Sequence, residues 1–319
     1  MRVLFLPEYG EQIGGGHVMR CLTLAGELSR RGATCAFAVQ PAARPVIAAF
    51  AEGMPIVAED WPADIAILDG YGYTAADEQA FGGRGMKVAV FDDVLRSHAC
   101  DLIIDSGLGR TADDYPGPAR VLAGVTYSPV RPEFASVRAD ARARRAEGGS
   151  RLLVSLGLTD VGGITARVLD LLIRLSGWEA MDVVLGDRAA SLDDVRSLAA
   201  ADPRIAVYVN ARNMADLTAS ADFAIGAGGG SQWERAVVGV PTLLLILAPN
   251  QQAIARQLEA LRAALVLDVA APDFDQRFAE AFTRLAADSA LRAALSRHGQ
   301  ALFDGKGVER VAEAVLALV

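Results

Sequence analysis

IGGGHVMRCLTLA, residues 13–25, is the stretch that decides how this chain folds. It follows the apolar run of residues 3–6, typical of a buried parallel strand, and continues with apolar side chains at helical spacing at Val18, Leu22, Ala25 and Leu28. A strand, a glycine turn and a helix N-terminus together form an anion site, because several unpaired backbone N–H groups face one point. The stretch therefore predicts a substrate-binding turn at Gly14, Gly15 and Gly16.

His17 follows these glycines in the first turn of the expected helix, and we interpret it as a general base. The N-terminal end of a helix carries a partial positive charge, so a second positive charge there is disfavoured. This predicts that His17 is pushed toward its neutral form, an imidazole that accepts a proton near pH 7. The alternative interpretation is that His17 only caps or packs the turn.

Two better-known glycine motifs are excluded by the residues that follow. The dinucleotide motif G-x-G-x-x-G would require glycine where Met19 stands, and a phosphate loop of the nucleotidase kind would require a lysine after the glycines. The turn therefore predicts a phosphate-bearing ligand that is neither NAD nor ATP. We expect no cofactor, and the sequence shows no clustered set of His, Cys or carboxylate residues that would indicate a metal site.

The composition indicates a well-packed α/β protein. The 319 residues suffice for two domains, 52% of them are hydrophobic, and the net charge of −8 argues against nucleic acid as the main partner. The longest apolar run, residues 236–249, is too short to span a membrane and contains Pro241. Three cysteines without metal-like spacing, and a chain that opens directly into a strand, predict a cytoplasmic protein without a leader. The low aromatic content favours a monomer.

Apolar strands alternate with helices in both halves of the chain, which predicts two α/β domains with mostly parallel sheets. We expect strands at residues 3–6, 33–39, 64–68, 87–91, 102–104, 152–155, 181–185, 205–209, 222–225 and 242–247, with only helices afterwards. A charged helical stretch that ends in glycine places the boundary between domains 1–149 and 150–319. Because each domain has a glycine-rich strand-to-helix turn, we expect the two to face each other across a cleft. The reacting centre would then lie near His17 and the phosphates near the glycine turns of the second domain.

The motif Ile13-Gly14-x-Gly16-His17-x-x-Arg20-x-x-x-Leu24-Ala25 resembles the opening motif of the UDP-sugar hydrolases of pseudaminic acid biosynthesis. The resemblance continues in order along nearly the whole chain, in Asp69-x-Tyr71, Phe91-Asp92-Asp93, Asp101-x-x-x-Asp105, Ala221-Asp222-x-x-Ile225-Gly226-Ala227-Gly228-Gly229, Trp233-Glu234-Arg235, Gly239-x-Pro241 and Asn250-Gln251. It implies the GT-B fold, two Rossmann-like domains with UDP held mainly by the C-terminal one. It also implies inverting hydrolysis of UDP-2,4-diacetamido-2,4,6-trideoxy-β-L-altropyranose to UDP and the free sugar.

The resemblance further implies roles for single residues. His17 corresponds to the water-activating base, Tyr71 to a tyrosine that lines the sugar site, and Glu234 to a glutamate that binds the uridine ribose. The other residues expected to bind the substrate are the diphosphate turn, the pair beside the sugar, the first glycine turn of the second domain and the arginine after the base: Gly228, Gly229, Ser231, Asn250, Gln251, Gly157 and Arg20.

The chain departs from the usual residues of that family at several positions. Glu8-Tyr9-Gly10-Glu11 replaces an aspartate-glycine pair, Gly70 replaces a histidine, and Leu158-Thr159 and Gln232 replace residues of the second domain's turns. These departures retain the base and leave the configuration of the sugar open.

Other interpretations remain open for the supporting residues. Tyr71 could pack at a strand end, Glu234 could be a surface residue, Arg20 could hold a phosphate or orient a loop, and caps are the alternative for Asp92, Asp93 and Asn250. His98 and His298 are interpreted as ordinary surface or loop histidines. Two competing functions are a GT-B glycosyltransferase with a UDP-amino-sugar donor and a nucleotide-sugar binding protein without catalysis.

Overall fold

The residues that the structure describes, 1–10, 13–146 and 148–319 of a computed structural model, divide into two units. The first unit comprises Met1–Pro132 and Gly305–Val319, and the second comprises Glu133–Asp304. Each unit is built around one six-stranded sheet in which all neighbouring strands are parallel. The prediction of two α/β domains with parallel sheets is confirmed.

Strands and helices alternate in the first unit, which also contains one helix from the C-terminal end of the chain. Its strands are β1 Arg2–Pro7, β2 Thr34–Phe37, β3 Ile65–Asp69, β4 Lys87–Phe91, β5 Leu102–Asp105 and β6 Arg120–Ala123. Its helices are α1 Gly16–Arg30, α2 Arg44–Phe50, α3 Ala75–Gly83 and the C-terminal α13 Gly307–Leu316, and the short α4 Pro132–Ser136 begins at its last residue.

The second unit has the same alternation. Its strands are β7 Arg151–Ser155, β8 Ala180–Leu185, β9 Ile205–Val209, β10 Phe223–Ala227, β11 Thr242–Ile246 and β12 Leu265–Asp268. Its helices after α4 are α5 Arg138–Ala146, α6 Ile164–Ile173, α7 Leu192–Ala201, α8 Met214–Ser220, α9 Ser231–Val238, α10 Gln252–Ala260, α11 Phe274–Ala287 and α12 Ser289–Leu302.

The predicted division into domains 1–149 and 150–319 differs from the two units at both ends of the second one. The second unit begins at Glu133 and ends at Asp304. The charged stretch that suggested it is α5, which packs against α8 and α9 and so belongs with the sheet that follows it. At the other end, α13 buries Val308, Val311 and Val315 completely in the core of the first unit. Burial of three such side chains against α1 explains why the end of the chain returns to the first unit.

The two strands that the sequence did not predict, β6 and β12, both lie at sheet edges. Each has four residues, and in each only one residue is buried. An edge strand of this length carries neither a continuous apolar run nor enough alternation to reveal it. The expectation of helices alone after residue 247 is therefore wrong at Leu265–Asp268.

Strand order places a topological switch point in each sheet. The first sheet has the order β2-β1-β3-β4-β5-β6, so the chain changes direction between β1 and β3. The second has the order β12-β11-β10-β7-β8-β9, which puts the change between β7 and β10. Ligands of open parallel sheets bind beyond the carboxyl ends of the strands at such points. Among the described residues, none of the helices combines the length and apolar character needed to cross a membrane.

Candidate active site

His17 and Asp69 form a buried pair at the switch point of the first sheet. Asp69 is the last residue of β3, and Pro7, the last residue of β1, is its register partner across the ladder. His17 enters from the first turn of α1, and its Nδ1 lies 2.6 Å from Asp69 Oδ1. His17 is only 7% exposed and Asp69 is completely buried. Because Asp69 engages Nδ1, Nε2 is the nitrogen that can serve as a base.

Arg20, one helical turn after His17, holds the same carboxylate. Its Nε donates to Asp69 Oδ2 at 2.9 Å and its Nη2 to Asp69 Oδ1 at 2.6 Å. The opposite edge of the guanidinium donates to both oxygens of Asp93, at 2.9 and 3.0 Å, and its face covers the ring of Phe91. With two carboxylates on one guanidinium, the geometry favours the orienting role of Arg20 over the phosphate-binding role.

The charges around His17 act in the opposite direction to the helix-terminus argument from sequence. Burial alone would lower the pKa of His17, but the charge and hydrogen bond of Asp69 outweigh burial, and the pKa lies above its ordinary value of 6.5. Burial would likewise raise the pKa of Asp69, yet the charges of Arg20 and His17 hold it well below its ordinary value. The expectation of a histidine pushed toward its neutral form is therefore wrong in direction. The sequence did not reveal this, because Asp69, the carboxylate that raises the pKa, is 52 residues away along the chain.

Tyr71 lies beside His17. Its ring meets the ring of His17 edge-on, with 4.9 Å between centroids and an interplanar angle of 81°, and 39% of Tyr71 is exposed. Glu8 shapes this loop, because its carboxylate accepts hydrogen bonds from the backbone N–H groups of Tyr71 and Gly72. A Cβ at Gly70 would lie 2.3 Å from Glu8 Cγ, so the Glu8 side chain fills the space that a side chain at residue 70 would need. Both positions differ from the usual residues of the resembled family.

The glycine turn before His17 contains a backbone conformation that favours glycine, and one of its N–H groups is already hydrogen-bonded within the loop. Gly14 has a φ of +80°, which favours glycine, and its N–H donates to the carbonyl oxygen of Gly10. Gly15 is the N-cap residue of α1 and Gly16 is its first residue, and no side chain of the described residues caps the helix. A Cβ at Gly16 would have nothing within 4 Å, so there is open space beside the backbone here.

The predicted diphosphate turn follows β10 at the switch point of the second sheet. A Cβ on Gly229 would meet nothing within 4 Å, whereas one on Gly228 would lie 3.3 Å from Gln251 Cβ. Ser231 and Glu234 begin α9 directly after the turn, and both are partly exposed. The open side of this turn leaves room for a ligand against the backbone.

Gln251 and Gly157 have visible structural roles in the second unit. Gln251 Oε1 accepts a hydrogen bond from the backbone N–H of Leu247 at 3.0 Å, which links the two ends of the loop after β11. Asn250 is exposed within the short 3-10 turn Pro249–Gln251, so the alternative that it is the N-cap of α10 is wrong. Gly157 follows β7 with a φ of +114°, a backbone conformation that favours glycine.

The structure therefore gathers the predicted residues into two groups. His17, Arg20 and Tyr71 lie together after β1 and β3, beside the turn of Gly14, Gly15 and Gly16. The second group, at the end of β10 and the loop after β11, contains Gly228, Gly229, Ser231, Glu234, Asn250 and Gln251, and Gly157 follows the neighbouring strand β7. Sequence reasoning did not assign a role to Asp69, although its place at the end of a strand in the quoted motif Asp69-x-Tyr71 was the available signal.

His98 lies in a loop, but it is not the ordinary surface or loop histidine that the sequence suggested. Its side chain is 2% exposed, with Nδ1 2.7 Å from Glu78 Oε1 and Nε2 3.0 Å from Asp92 Oδ2. Asp92 also accepts the backbone N–H groups of Val94 and Arg96, which confirms the interpretation of Asp92 as a turn cap. Burial would lower the pKa of His98, but the two carboxylates outweigh it and raise the pKa to about 9.

The first unit should consequently lose stability in mildly alkaline solution. A histidine whose folded pKa is about 9 against an ordinary 6.5 contributes its full stabilisation below pH 6.5 and loses it as the pH rises through 9. We expect the free energy of unfolding from urea titrations to fall between pH 6.5 and pH 9, and His98→Gln to reduce that slope. An unchanged slope in the variant would show that other groups cause it.

Glu78, His98 and Cys100 also lie close enough together to be examined as a metal site. Their ligand atoms all fall within 4.8 Å of one another. Each is already engaged, however: Glu78 accepts from His98 and from the N–H of Ala99, and the Cys100 thiol donates to the carbonyl oxygen of Leu102. Burial raises the pKa of that thiol to about 12, so the thiolate that a metal requires is disfavoured. The donors fit a hydrogen-bonded cluster better than a metal site.

Comparison with known proteins supports both the fold and the family resemblance. No protein-family model matches the chain. The chain is 24% identical over 230 residues, 68% of its length and 81% of the relative's, to UDP-2,4-diacetamido-2,4,6-trideoxy-beta-L-altropyranose hydrolase of Campylobacter jejuni. It is 29% identical over 197 residues, 61% of its length and 58% of the relative's, to the spore coat polysaccharide biosynthesis protein SpsG of Bacillus subtilis.

Solved structures extend the likeness in fold over the whole chain. The spinosyn rhamnosyltransferase SpnG, complexed with thymidine diphosphate, aligns with a TM-score of 0.68 over 98% of this chain and 100% of its own, at 16% identity. At that identity the alignment shows the fold and leaves the reaction to the site residues. The chain therefore has the GT-B fold, and the relatives it resembles in sequence include a UDP-sugar hydrolase and a protein of polysaccharide biosynthesis.

Proposed function

We propose that this protein is a sugar-nucleotide enzyme that hydrolyses a UDP-linked diacetamido-trideoxyhexose to UDP and the free sugar. The substrate proposed is UDP-2,4-diacetamido-2,4,6-trideoxy-β-L-altropyranose, the compound named in the C. jejuni relative. The observation that carries the proposal is the His17–Asp69 pair, 2.6 Å apart at the switch point of the first sheet. A buried carboxylate that orients a histidine is the usual arrangement for activating a nucleophile.

In the proposed reaction His17 activates water. Asp69 accepts a hydrogen bond from Nδ1–H and so leaves the lone pair of Nε2 free for a water molecule. Nε2 takes a proton from the water as its oxygen attacks the anomeric carbon, on the face opposite the leaving group. The bond from that carbon to the β-phosphate oxygen breaks, and UDP leaves with the electron pair. Because water attacks the opposite face, the configuration at the anomeric carbon is inverted. The imidazolium that forms is stabilised by Asp69 and later releases its proton to solvent.

We propose that the second unit binds UDP. UDP is already a good leaving group, so backbone N–H groups of the turn that precedes α9 can stabilise the charge that develops on the diphosphate without a strong general acid. Gly228, Gly229 and Ser231 form this turn, and Glu234 in the first turn of α9 is proposed to bind the ribose hydroxyls. Tyr71, half-exposed beside His17, is proposed to line the sugar.

The test is to incubate the protein with UDP-diacetamido-trideoxyhexoses and no acceptor. Hydrolysis requires UDP and free sugar to appear in equal amounts, and proton NMR of the first product formed should show the inverted anomer. An absolute requirement for an added acceptor would establish a glycosyltransferase instead. Binding of the UDP-sugar without any release of UDP, by wild type and His17→Ala alike, would indicate a protein that only binds nucleotide sugars.

The pH dependence of hydrolysis should report His17. The base works only when deprotonated, and Asp69 raises the pKa of His17 above 6.5. We therefore expect kcat/KM to rise about tenfold per pH unit at low pH and to reach half its plateau above pH 6.5. The measurement is UDP release from pH 5 to pH 9 at low substrate concentration. A half-point well below pH 6.5 would contradict the pairing with an ionised Asp69.

A further inference from the structure

Arg235 is a buried cation directly beneath the turn that we propose to bind the diphosphate. It is 2% exposed, and a Cβ added to Gly226 would lie 2.2 Å from its Cζ, so the guanidinium lies flat against the end of β10. Nη2 donates to the carbonyl oxygen of Ala227 at 2.7 Å, and Nη1 donates to Ser231 Oγ at 3.1 Å. These two hydrogen bonds join the last residue of β10 to the first residue of α9 across the turn.

The charge of Arg235 is not neutralised by the groups to which it is hydrogen-bonded. Its acceptors are a backbone carbonyl, a hydroxyl and the side-chain oxygen of Gln232, all neutral. Among the described residues, its Nε has no hydrogen-bond partner although it is buried. Burial lowers the pKa of Arg235 to about 10, and the charge of the neighbouring Glu234 offsets only part of this effect. A guanidinium with this pKa is still charged at pH 7, at a cost in desolvation.

We infer that Arg235 supplies the counter-charge for the substrate's diphosphate from behind the turn, and that it is a positioning residue of the nucleotide site. This inference rests on the proposed function. Gly229 and Gly230 have open space beside their backbone, so a ligand approaches the turn from that side while the guanidinium supports it from below. Bound phosphate would balance a charge that the fold compensates only in part, and the hydrogen bonds to Ala227 and Ser231 would keep the turn in its binding conformation.

Residues on both sides of the turn hold Arg235 in place. Gly226 is required because any side chain there would displace the guanidinium, and Ser231 is required as an acceptor as well as a helix-start residue. Gln232, which departs from the pattern of the resembled family, is 2% exposed and accepts from the same Nη2 at 3.0 Å. The buried Gln232 is thus part of the support for Arg235.

The experiment compares the affinities of UDP, UMP and uridine by calorimetry for wild type, Arg235→Met and Arg235→Lys. Removing the charge should weaken UDP binding about tenfold or more, weaken UMP less and leave uridine within about twofold, because only the phosphates sense the charge. Arg235→Lys should keep most of the preference for UDP over uridine. Arg292→Met is the matched control, since Arg292 donates to the carbonyl oxygens of Leu285 and Ala286 and lies outside the turn. It should leave the UDP-to-uridine ratio unchanged.

The outcomes separate this inference from the proposed function. Wild type that binds no UDP would overturn both. Wild type that binds and hydrolyses the UDP-sugar, with the same UDP-to-uridine ratio in Arg235→Met, would overturn only the role of Arg235. Equal losses for UDP and uridine would show that Arg235 merely holds the fold, which also overturns it. If Arg235→Met does not fold, as judged by circular dichroism, the same ratios measured in Arg235→Gln decide the question.

Discussion

Replacing His17 with alanine is expected to lower kcat for the UDP-sugar about 10²–10⁴-fold, the usual contribution of a general base. The affinity for UDP should stay within about threefold, because the nucleotide is assigned to the turn after β10. The local fold should survive, since Arg20 still engages both oxygens of Asp69 when the imidazole is gone. The measurement is UDP release at saturating substrate, together with the dissociation constant of UDP by calorimetry.

The control for this variant is His298→Ala. His298 contacts the carbonyl oxygen of Arg262 in the second unit and has no place in the proposed reaction. Its replacement should leave kcat unchanged. A His17→Ala protein that turns over the UDP-sugar at the wild-type rate would refute the assignment of the base, whatever its effect on KM.

The fold was predictable from the sequence wherever burial was strong. Central strands such as β3 and β10 are buried at every position, and a continuous apolar run of that kind is readable without a structure. The edge strands β6 and β12 are only partly buried and left no such pattern. The return of α13 to the first unit depends on tertiary packing of Val308, Val311 and Val315, and an amphipathic helix does not encode which core receives its apolar face.

The sequence predicted that His17 and Tyr71 lie near each other, but it did not predict the electrostatics around His17. His17 and Tyr71 could be placed because a parallel sheet brings the ends of β1 and β3 together. The direction of the pKa shift at His17 could not be predicted, because it depends on Asp69, whose Oδ1 lies 2.6 Å from Nδ1 only in the folded chain. His98 was misjudged for the same reason: Glu78 and Asp92, which bury and charge it, are 20 and 6 residues away and are joined to it only by the fold.

Replacing Asp69 with asparagine should be nearly as damaging as removing the base. Asparagine has almost the same shape, but it carries no charge and can turn its NH₂ group toward His17 Nδ1, which would place the imidazole proton on Nε2. A histidine held in that tautomer has no lone pair for water, and the corresponding change in serine-protease triads costs about 10⁴-fold. We expect kcat/KM to fall between about 10²- and 10⁴-fold.

The same variant has a second signature in its pH profile. Without the Asp69 charge, burial and the charge of Arg20 lower the pKa of His17 by more than the charge of Asp93 raises it, so the acid limb of the residual activity should move to lower pH. Loss of stability alone would not move that limb. The matched control is Asp93→Asn, because Asp93 pairs with the same guanidinium of Arg20 and has no hydrogen bond with His17 among those that the described residues show. Asp93→Asn should retain activity within about tenfold of wild type. If Asp69→Asn and Asp93→Asn lose activity equally and keep the wild-type acid limb, Asp69 serves only to anchor Arg20, and the pair with His17 is not the source of catalysis.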